Sequence, residues 1–185
     1  TRSDTASAGQ VRGMHSWIAN NSDRWIAAGS YNKLYAYSGA GIQYDITPTG
    51  FTAGNEDALT PVGYGNSFYG REYYGTPRQE SVTITPATTW SLDSFGEYLV
   101  ACSSTDGKVY EWQLNTGAIA AVISNAPVNN RAILVTEERF LMCLGAGGNP
   151  RLVQWSDREN NNLWTPAATN EAGSLELQTT GRIQC

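Results

Sequence analysis

The feature that most constrains the fold is a strand-turn-strand pattern that occurs three times in the chain. In each copy a mostly apolar run leads through a polar or glycine-containing turn to a second run that carries an aromatic residue. The paired runs are RWIAAG and KLYAY from Arg24, EYLVAC and KVYEW from Glu97, and RFLMCL and RLVQW from Arg139. Short apolar runs joined by turns predict β-hairpins, and Asp106-Gly107 in the second copy is a strong hairpin signal. The repetition therefore predicts an all-β fold built from repeated units.

Each hairpin is flanked by two further strand candidates, which gives four strands for each unit. The candidates before the hairpins are residues 14–18, 88–92 and 132–136, and those after them are 42–47, 118–124 and 174–178. The first strands of the hairpins, 25–29, 98–102 and 140–144, are almost continuously apolar. Such continuity is typical of strands that are buried on both faces. We therefore predict repeated four-stranded antiparallel sheets with these three strands in their interiors.

The spacing of the copies favours β-propeller blades. Tyr98 and Phe140 occupy matching positions and lie 42 residues apart, within the roughly 40 to 50 residues of a propeller blade. Trp25 and Tyr98 lie 73 residues apart, so extra chain is inserted between the first two copies. Closed propellers have about 4 to 8 blades, and three are visible. We therefore expect an incomplete arc, completed by further chain or by another subunit, or a fragment of a longer protein; a β-sandwich is the competing architecture.

The chain divides into four stretches that we expect to form one structural domain. Residues 1–50, 87–127 and 128–185 hold the three repeats, and residues 51–86 form a Gly/Tyr-rich insertion. Aromatic rings supply large contact area at low entropic cost. We predict that the insertion forms an interaction surface, as an arm on a neighbouring blade or subunit or as a receptor-binding loop. Its residues are Tyr64, Phe68, Tyr69, Arg71, Tyr73, Tyr74 and Arg78.

Composition and charge narrow the class of function. The formal net charge of -5 repels phosphate backbones and anionic lipid surfaces. We therefore expect no sequence-specific binding of nucleic acid. No stretch approaches the roughly 20 apolar residues of a membrane span, and the first residues lack the basic flank and apolar run of a signal peptide. We expect a protein that is soluble in the cytoplasm where it is made.

The residues that carry catalytic or metal chemistry form no recognisable constellation. His15 is the single histidine of the sequence, and there is no Cys-x-x-Cys pair, so we expect no metal site. Asp157 and Glu159 fall at a strand end or turn, where charged side chains face solvent, and no convergent group accompanies them. Three cysteines, an odd number, imply no disulfide framework. We expect no cofactor and no enzymatic activity.

A series of ordered motifs resembles a family of bacteriophage virion structural proteins. The motifs are KLYAY with YDITP at 33–48, YGTPR at 74–78, TWSLD at 89–93, DGKVYEW at 106–112, LGAGGNPR at 144–151 and WSDRE at 155–159. The resemblance runs from about residue 24 to the end of the chain, and the order of the motifs makes it fairly specific. The strand-turn-strand pattern is similar to that of propeller-bearing tail nozzle proteins of short-tailed phages, which form symmetric rings below the portal through which DNA leaves.

The resemblance implies a structural component of a phage tail, of the nozzle or tail-hub type, that is located in the virion. It implies that the partners are other copies of the chain and neighbouring tail proteins, and it transfers no catalytic residue. The sequence departs from a full nozzle protein because it has no evident tube or platform domain. A host-surface or glycan-binding module that uses aromatic loops is the alternative, and a glycoside-active enzyme is a third hypothesis.

Overall fold

The computed structural model describes residues 5–58, 85–181 and 183. These residues form three four-stranded antiparallel sheets, and in each sheet the spatial order of the strands follows the order of the chain. The described helical structure is limited to a 3-10 turn at Ala146–Gly148. The prediction of an all-β fold with repeated four-stranded antiparallel units is therefore confirmed.

The strands of each sheet come from one contiguous stretch of chain. Sheet 1 contains β1 (Val11–Ile18), β2 (Arg24–Ser30), β3 (Leu34–Ser38) and β4 (Gln43–Asp45). Sheet 2 contains β5 (Trp90–Phe95), β6 (Tyr98–Ser103), β7 (Val109–Trp112) and β8 (Ala121–Val122). Sheet 3 contains β9 (Ala132–Val135), β10 (Leu141–Leu144), β11 (Leu152–Trp155) and β12 (Gly173–Glu176). The three interior strands predicted from apolar continuity are thus β2, β6 and β10.

The fourth strand of sheet 2 is much shorter than the predicted 118–124. The backbone N–H of Ala120 donates to the carbonyl oxygen of Ile46 in sheet 1 at 3.0 Å. This bond joins the segment before β8 to sheet 1. Pairing with β7 is made by Ala121–Val122 and by the N–H of Ile123, which donates to Val109 O at 2.9 Å. The strand was predicted too long because the N–H of Ala120 finds its partner outside sheet 2.

The hairpin between β6 and β7 follows the turn predicted at Asp106-Gly107. Gly107 has a φ of +66°, a left-handed conformation that glycine adopts without steric cost, and its N–H donates to Ser103 O at 2.8 Å. A Cβ at this position would lie 2.7 Å from Asn129 Cα. The turn therefore requires glycine both for its backbone conformation and for the close approach of the chain before β9.

The three sheets stack in chain order, and sheet 2 lies between the other two. The first core joins sheets 1 and 2 and includes Trp17, Trp25, Leu34, Trp90, Leu99, Tyr110 and Trp112. The second core joins sheets 2 and 3 and includes Val100, Cys102, Val109, Leu141, Cys143 and Trp164. The first strands of the sheets, β1, β5 and β9, are neighbours in space in that order. Sheet 2 is consequently buried on both faces, as β6 was predicted to be.

The contact between sheets 1 and 2 is made by large rings that meet small residues. The Trp90 indole fills the space above Gly29, where a Cβ would overlap the ring, and the carbonyl and Cβ of Trp90 fill the space above Gly13. Trp25 and Trp112 meet edge to face, with ring centroids 5.2 Å apart and planes at 75°. Such aromatic pairs add about 0.5 to 1.5 kcal/mol to the free energy of area burial. The two sheets are therefore held in one specific register.

Side chains of β5 bond the backbone of β9 where sheets 2 and 3 meet. Ser91 Oγ donates to Ile133 O at 2.6 Å and lies 3.2 Å from Ile133 N, from which it accepts. Asp93 Oδ2 accepts from Val135 N at 2.8 Å. These bonds satisfy polar groups along β9 that no neighbouring strand pairs on that side. They also fix the position of sheet 3 relative to sheet 2.

The third hairpin differs from the second in the register of its second strand. Val100 pairs with Glu111 in sheet 2, whereas Met142, at the position matching Val100, pairs with Trp155 in sheet 3. The turn at 145–151 is longer than the turn at 104–108 and contains the 3-10 turn. Trp155 therefore does not match Trp112, as the motif alignment implied, and lies on the opposite face of its sheet.

Candidate functional site

The interaction surface predicted from the Gly/Tyr-rich insertion lies outside the described residues. This holds for all of its members, Tyr64, Phe68, Tyr69, Arg71, Tyr73, Tyr74 and Arg78. The described residues present three other surfaces that suit binding. Two are the faces of the end sheets that are turned away from sheet 2, and the third is a polar cleft at one end of the stack.

The sheet 1 outer face includes the apolar residues Met14, Ile18, Ile26 and Tyr37, with Ser16 among them. Pairing of Ser16 with Ile26 and of Ile26 with Tyr37 places these side chains on the side of the sheet away from the first core. Met14 is 71% exposed and Ile26 is 42% exposed. Exposed apolar groups of this size, side by side on a sheet, mark an interaction surface more often than isolated ones do.

The sheet 3 outer face is more apolar than the sheet 1 outer face. Pairing of Met142 with Leu134 and with Trp155 places all three on the side away from sheet 2. Its members are Leu134, Met142, Leu144, Val153, Trp155 and Leu175, with Phe140 at its border. A recess of about 230 Å³ opens between Phe140, Met142, Trp155 and their neighbours.

These faces correct the prediction that the interior strands are buried on both sides. β6 is so buried, but Ile26 of β2 is exposed, and Met142 and Leu144 of β10 are only half-buried. The physical reason is position in the stack, since sheets 1 and 3 each have one neighbour among the described residues and sheet 2 has two. Apolar continuity in the sequence predicts that a face is suited to burial, and it does not identify what buries it.

The polar cleft has a volume of about 420 Å³ and is formed by turns from all three sheets. Asn20 comes from sheet 1, Glu97 and Tyr98 come from sheet 2, and Arg139 and Asn160 come from sheet 3. The remaining lining residues are Phe95, Gly96, Glu111, Gln113, Glu159, Asn161 and Asn162. Sequence reasoning missed this site because its residues are far apart in the chain. The run of three asparagines at 160–162 was the available signal.

A chain of side-chain hydrogen bonds holds one wall of the cleft in place. Gln113 Nε2 donates to Glu111 Oε1 at 2.7 Å, and Asn161 Nδ2 donates to Glu111 Oε2. Asn162 Nδ2 in turn donates to Asn161 Oδ1 at 2.9 Å. Carboxylates accept and carboxamides both donate and accept, so the wall offers fixed partners to a ligand that is rich in hydroxyl groups.

The charge of the cleft disfavours anionic ligands. Three carboxylates, of Glu97, Glu111 and Glu159, face a single guanidinium of Arg139, which pairs with Glu159 at 3.6 Å. Tyr98 and Phe95 add aromatic surface. Amide and carboxylate groups beside an aromatic ring suit a neutral, hydroxyl-rich molecule such as a saccharide, because they offer hydrogen-bond partners next to an apolar ring.

The most perturbed titratable groups serve packing within the stack. Burial raises the pKa of Tyr110, and the hydrogen bond that its hydroxyl donates to Asp106 raises it further. Asp106 also pairs with Lys108 at 3.3 Å, across the same turn. Burial likewise raises the pKa of Cys143, with a smaller contribution from Cys102. These groups stabilise the β6–β7 hairpin and the second core.

The described residues, 5–58, 85–181 and 183, contain neither a metal-binding cluster nor a helix that could span a membrane. Within these ranges no group of three or more His, Cys, Asp or Glu side chains is placed to hold a metal ion. His15 stacks on Trp17 with ring centroids 5.9 Å apart. The same ranges contain no helix with the length and apolar character that crossing a membrane requires.

Comparisons of the chain with protein-family models, with curated proteins and with solved structures found no match.

Proposed function

We propose that this chain is a structural component of a bacteriophage tail, of the nozzle or tail-hub type, that assembles into a symmetric ring in the virion. Its three sheets form an arc of a β-propeller-like module. Other copies of the chain and neighbouring tail proteins are its partners. The ordered motifs from KLYAY to WSDRE, which resemble phage virion structural proteins, support the assignment to a tail.

The observation that carries the proposal is a stack of sheets that ends on two apolar faces. Sheets packed face to face, with their first strands adjacent, support a propeller-like module, because neighbouring propeller blades also pack in this way. The sheet 1 outer face exposes Met14 and Ile26, and the sheet 3 outer face presents Met142 and Trp155. Large apolar surfaces of this kind are normally covered by assembly.

The test of a tail role is the location of the chain in an intact particle. Antibodies against the purified chain are applied to particles of the phage that encodes it and located by electron microscopy, with antibodies against the major capsid protein as the control. We expect labelling confined to the tail, and several copies per particle by quantitative mass spectrometry. Labelling of the capsid shell, or absence of the chain from purified particles, would contradict the proposal.

The polar cleft supports a second candidate, a module that binds host-surface saccharides. Its hydrogen-bonded wall at Glu111 and the ring of Tyr98 suit a neutral saccharide. Binding is measured on arrays of bacterial polysaccharide, with Tyr98→Ala as the cleft variant and Tyr31→Ala as a control outside it. If the second candidate is right, Tyr98→Ala loses binding and the control retains it. If neither the native chain nor the control binds any saccharide, the second candidate fails.

The predicted surface of the insertion separates the two candidates further. Replacement of Tyr69, Tyr73 and Tyr74 by Ser removes much of its aromatic area. A structural role predicts weaker assembly with the sheets still folded. A receptor-binding role predicts normal assembly of particles that fail to attach to the host.

A further inference from the structure

We infer that copies of this chain join head to tail, with the sheet 3 outer face of one copy packed on the sheet 1 outer face of the next. The inference deepens the proposed ring assembly and rests on it. This interface between two copies, here called the joint, would repeat the contact that neighbouring sheets already make within the chain. The smallest closed ring then contains two copies of the chain.

The register of the sheets shows that the sheet 1 outer face is built to receive a preceding sheet. Ile26, Leu99 and Leu141 occupy matching positions, since each pairs at the same place with the first strand of its sheet. Leu99 belongs to the core shared with sheet 1, and Leu141 to the core shared with sheet 2. Leu99 is 1% exposed and Leu141 is 0% exposed. Ile26 therefore points to where the sheet before sheet 1 would lie.

The same comparison shows that the sheet 3 outer face is built to receive a following sheet. Met142 matches Val100, since each is one residue after the leucine of its strand, Leu141 or Leu99. Leu144 matches Cys102 in the same way, three residues after that leucine. Val100 and Cys102 are fully buried against sheet 3. Met142 and Leu144 are half-buried and point to where a fourth sheet would lie.

The internal contact also predicts which residues meet across the new joint. Trp25 of sheet 1 packs edge to face on Trp112 of sheet 2. Phe140 holds the position of Trp25 in sheet 3, and Tyr37 holds the position of Trp112 in sheet 1. Phe140 of one copy should therefore contact Tyr37 of the next. The joint would therefore keep an aromatic pair at this place, with Phe140 and Tyr37 instead of Trp25 and Trp112.

A second copy fits these faces better than an unrelated partner for two reasons. The described part of each chain presents one face of each kind, so head-to-tail contact covers both faces in equal number. Contacts of this kind close into a ring when the rotation allows. The borders of the faces are also complementary in charge. Arg24 follows the β1–β2 turn beside Ile26, and Glu138 lies at the matching end of sheet 3 in the recess with Phe140.

The number of sheets sets the size of the smallest ring. The described residues of one copy supply three sheets, fewer than the roughly 4 to 8 of closed propellers. Two copies supply six, which lies within this range, and three supply nine, which exceeds it. The expected species is a two-fold symmetric dimer with two identical joints.

The joint is tested by sedimentation equilibrium of the full chain and of two single variants. Ile26→Glu places a charge in the sheet 1 outer face, and Met142→Glu places one in the sheet 3 outer face. Val128→Glu alters an exposed apolar residue outside both faces and serves as the control. We expect the native chain and the control to have twice the chain mass, and each face variant to have the mass of one chain. Circular dichroism shows whether the variants keep their β structure.

A mixture of the two face variants distinguishes head-to-tail contact from contact between like faces. Ile26→Glu keeps an intact sheet 3 outer face, and Met142→Glu keeps an intact sheet 1 outer face. The mixture should therefore form a heterodimer with one joint, although neither variant associates alone. A monomeric native chain, a dimer that survives both substitutions, or a mixture that stays monomeric overturns the inference. Assembly beyond two copies overturns the two-copy ring, and absence from phage particles overturns only the tail assignment.

Discussion

The indole nitrogen of Trp90 donates a 2.6 Å hydrogen bond to the carbonyl oxygen of Ser30, which is 60 residues earlier in the chain. The bond is buried and joins the first strand of sheet 2 to the end of β2 in sheet 1. Phe51 stacks on the same indole with ring centroids 5.2 Å apart. Trp90 is therefore the residue that fixes the distance and the orientation between the first two sheets.

Addition of one methyl group beneath this indole should destabilise the protein. The Cβ of Gly29→Ala would overlap the Trp90 ring, because the ring rests on the strand backbone. Overpacking of this kind costs about 1 to 3 kcal/mol. We expect a lower urea midpoint in unfolding followed by tryptophan fluorescence. Gly117→Ala is the matched control, since its nearest neighbour would be Asn115 Oδ1 at 3.4 Å; equal midpoints for the two variants would contradict the packing described.

Removal of the Ser91 hydroxyl should weaken the contact between sheets 2 and 3. Ser91→Ala leaves the N–H and the carbonyl of Ile133 without the partner that serves both. An unpaired buried polar group costs about 1 to 3 kcal/mol, and that is the expected loss in the free energy of unfolding. Ser174→Ala, at an exposed position of β12, should change it by less than about 0.5 kcal/mol. The prediction fails if both variants unfold like the native chain.

Two buried thiols should be inaccessible until the protein unfolds. Burial raises the pKa of Cys143, and Cys102 adds to the shift, so the thiol stays protonated in the fold. In a Cys185→Ser background, a thiol reagent at about pH 8 should modify neither side chain in native protein and both in denaturant. Rapid labelling of the native protein would show that the second core is open.

The raised pKa of the Cys143 thiol also predicts a loss of stability in alkali. A thiol whose pKa is higher in the folded protein than in the unfolded chain stabilises the fold at every pH below its unfolded pKa. For Cys143 that unfolded pKa is 9.0. That contribution is lost as the pH rises above 9.0, because the unfolded thiol ionises first. Unfolding free energies at about pH 8 and 9.5 should differ less in Cys143→Ala than in the native chain. An unchanged difference would assign the pH dependence to other groups.

The carboxylate of Asp45 should contribute to stability except in acid. Burial acts to raise its pKa, but hydrogen bonds from Lys33 and Thr47 outweigh burial and lower the pKa below 3.8. Its contribution is therefore present above pH 3.8 and is lost as the pH falls through the folded value. Because the pair is half-exposed, Asp45→Asn should cost less than about 1 kcal/mol at neutral pH. The measurement is the acid unfolding midpoint, with Glu137→Gln as an exposed control of equal charge change; the same midpoint shift in both would refute a specific role.

The strands of the repeats were predictable because local sequence determines them. The apolar run from Tyr98 and the turn at Asp106-Gly107 specify a hairpin without reference to the rest of the chain. The register of β11 was not predictable from the motif, since the longer turn at 145–151 moves Trp155 to the other face. A shift of one residue reverses every side chain of a strand. The register of β11 is therefore set by the geometry of the turn and could not be read from the similarity of the motifs.

The contacts between sheets were the least predictable part of the structure. Trp90 was predicted to lie in a strand, but the packing of its ring on Gly29 and of its backbone on Gly13 depends on residues that lie far away in the chain. The paired glycines Gly13 and Gly29, which leave room for Trp90, were a signal that becomes interpretable only once the order of the sheets is known. The polar cleft was missed for the same reason, because three separate turns supply its walls.

Construction of each sheet from one contiguous stretch has a consequence for synthesis on the ribosome. All strand pairing of sheet 1 is available once residue 45 has emerged, well before sheet 2 begins at Trp90. Local contacts of this kind form quickly, and chains fold from the N-terminus as they are made. Each new sheet then covers the apolar face left by the sheet before it. Apart from the sheet 1 outer face, the nascent chain thus exposes one newly made apolar face at a time, which limits the surface open to aggregation during translation.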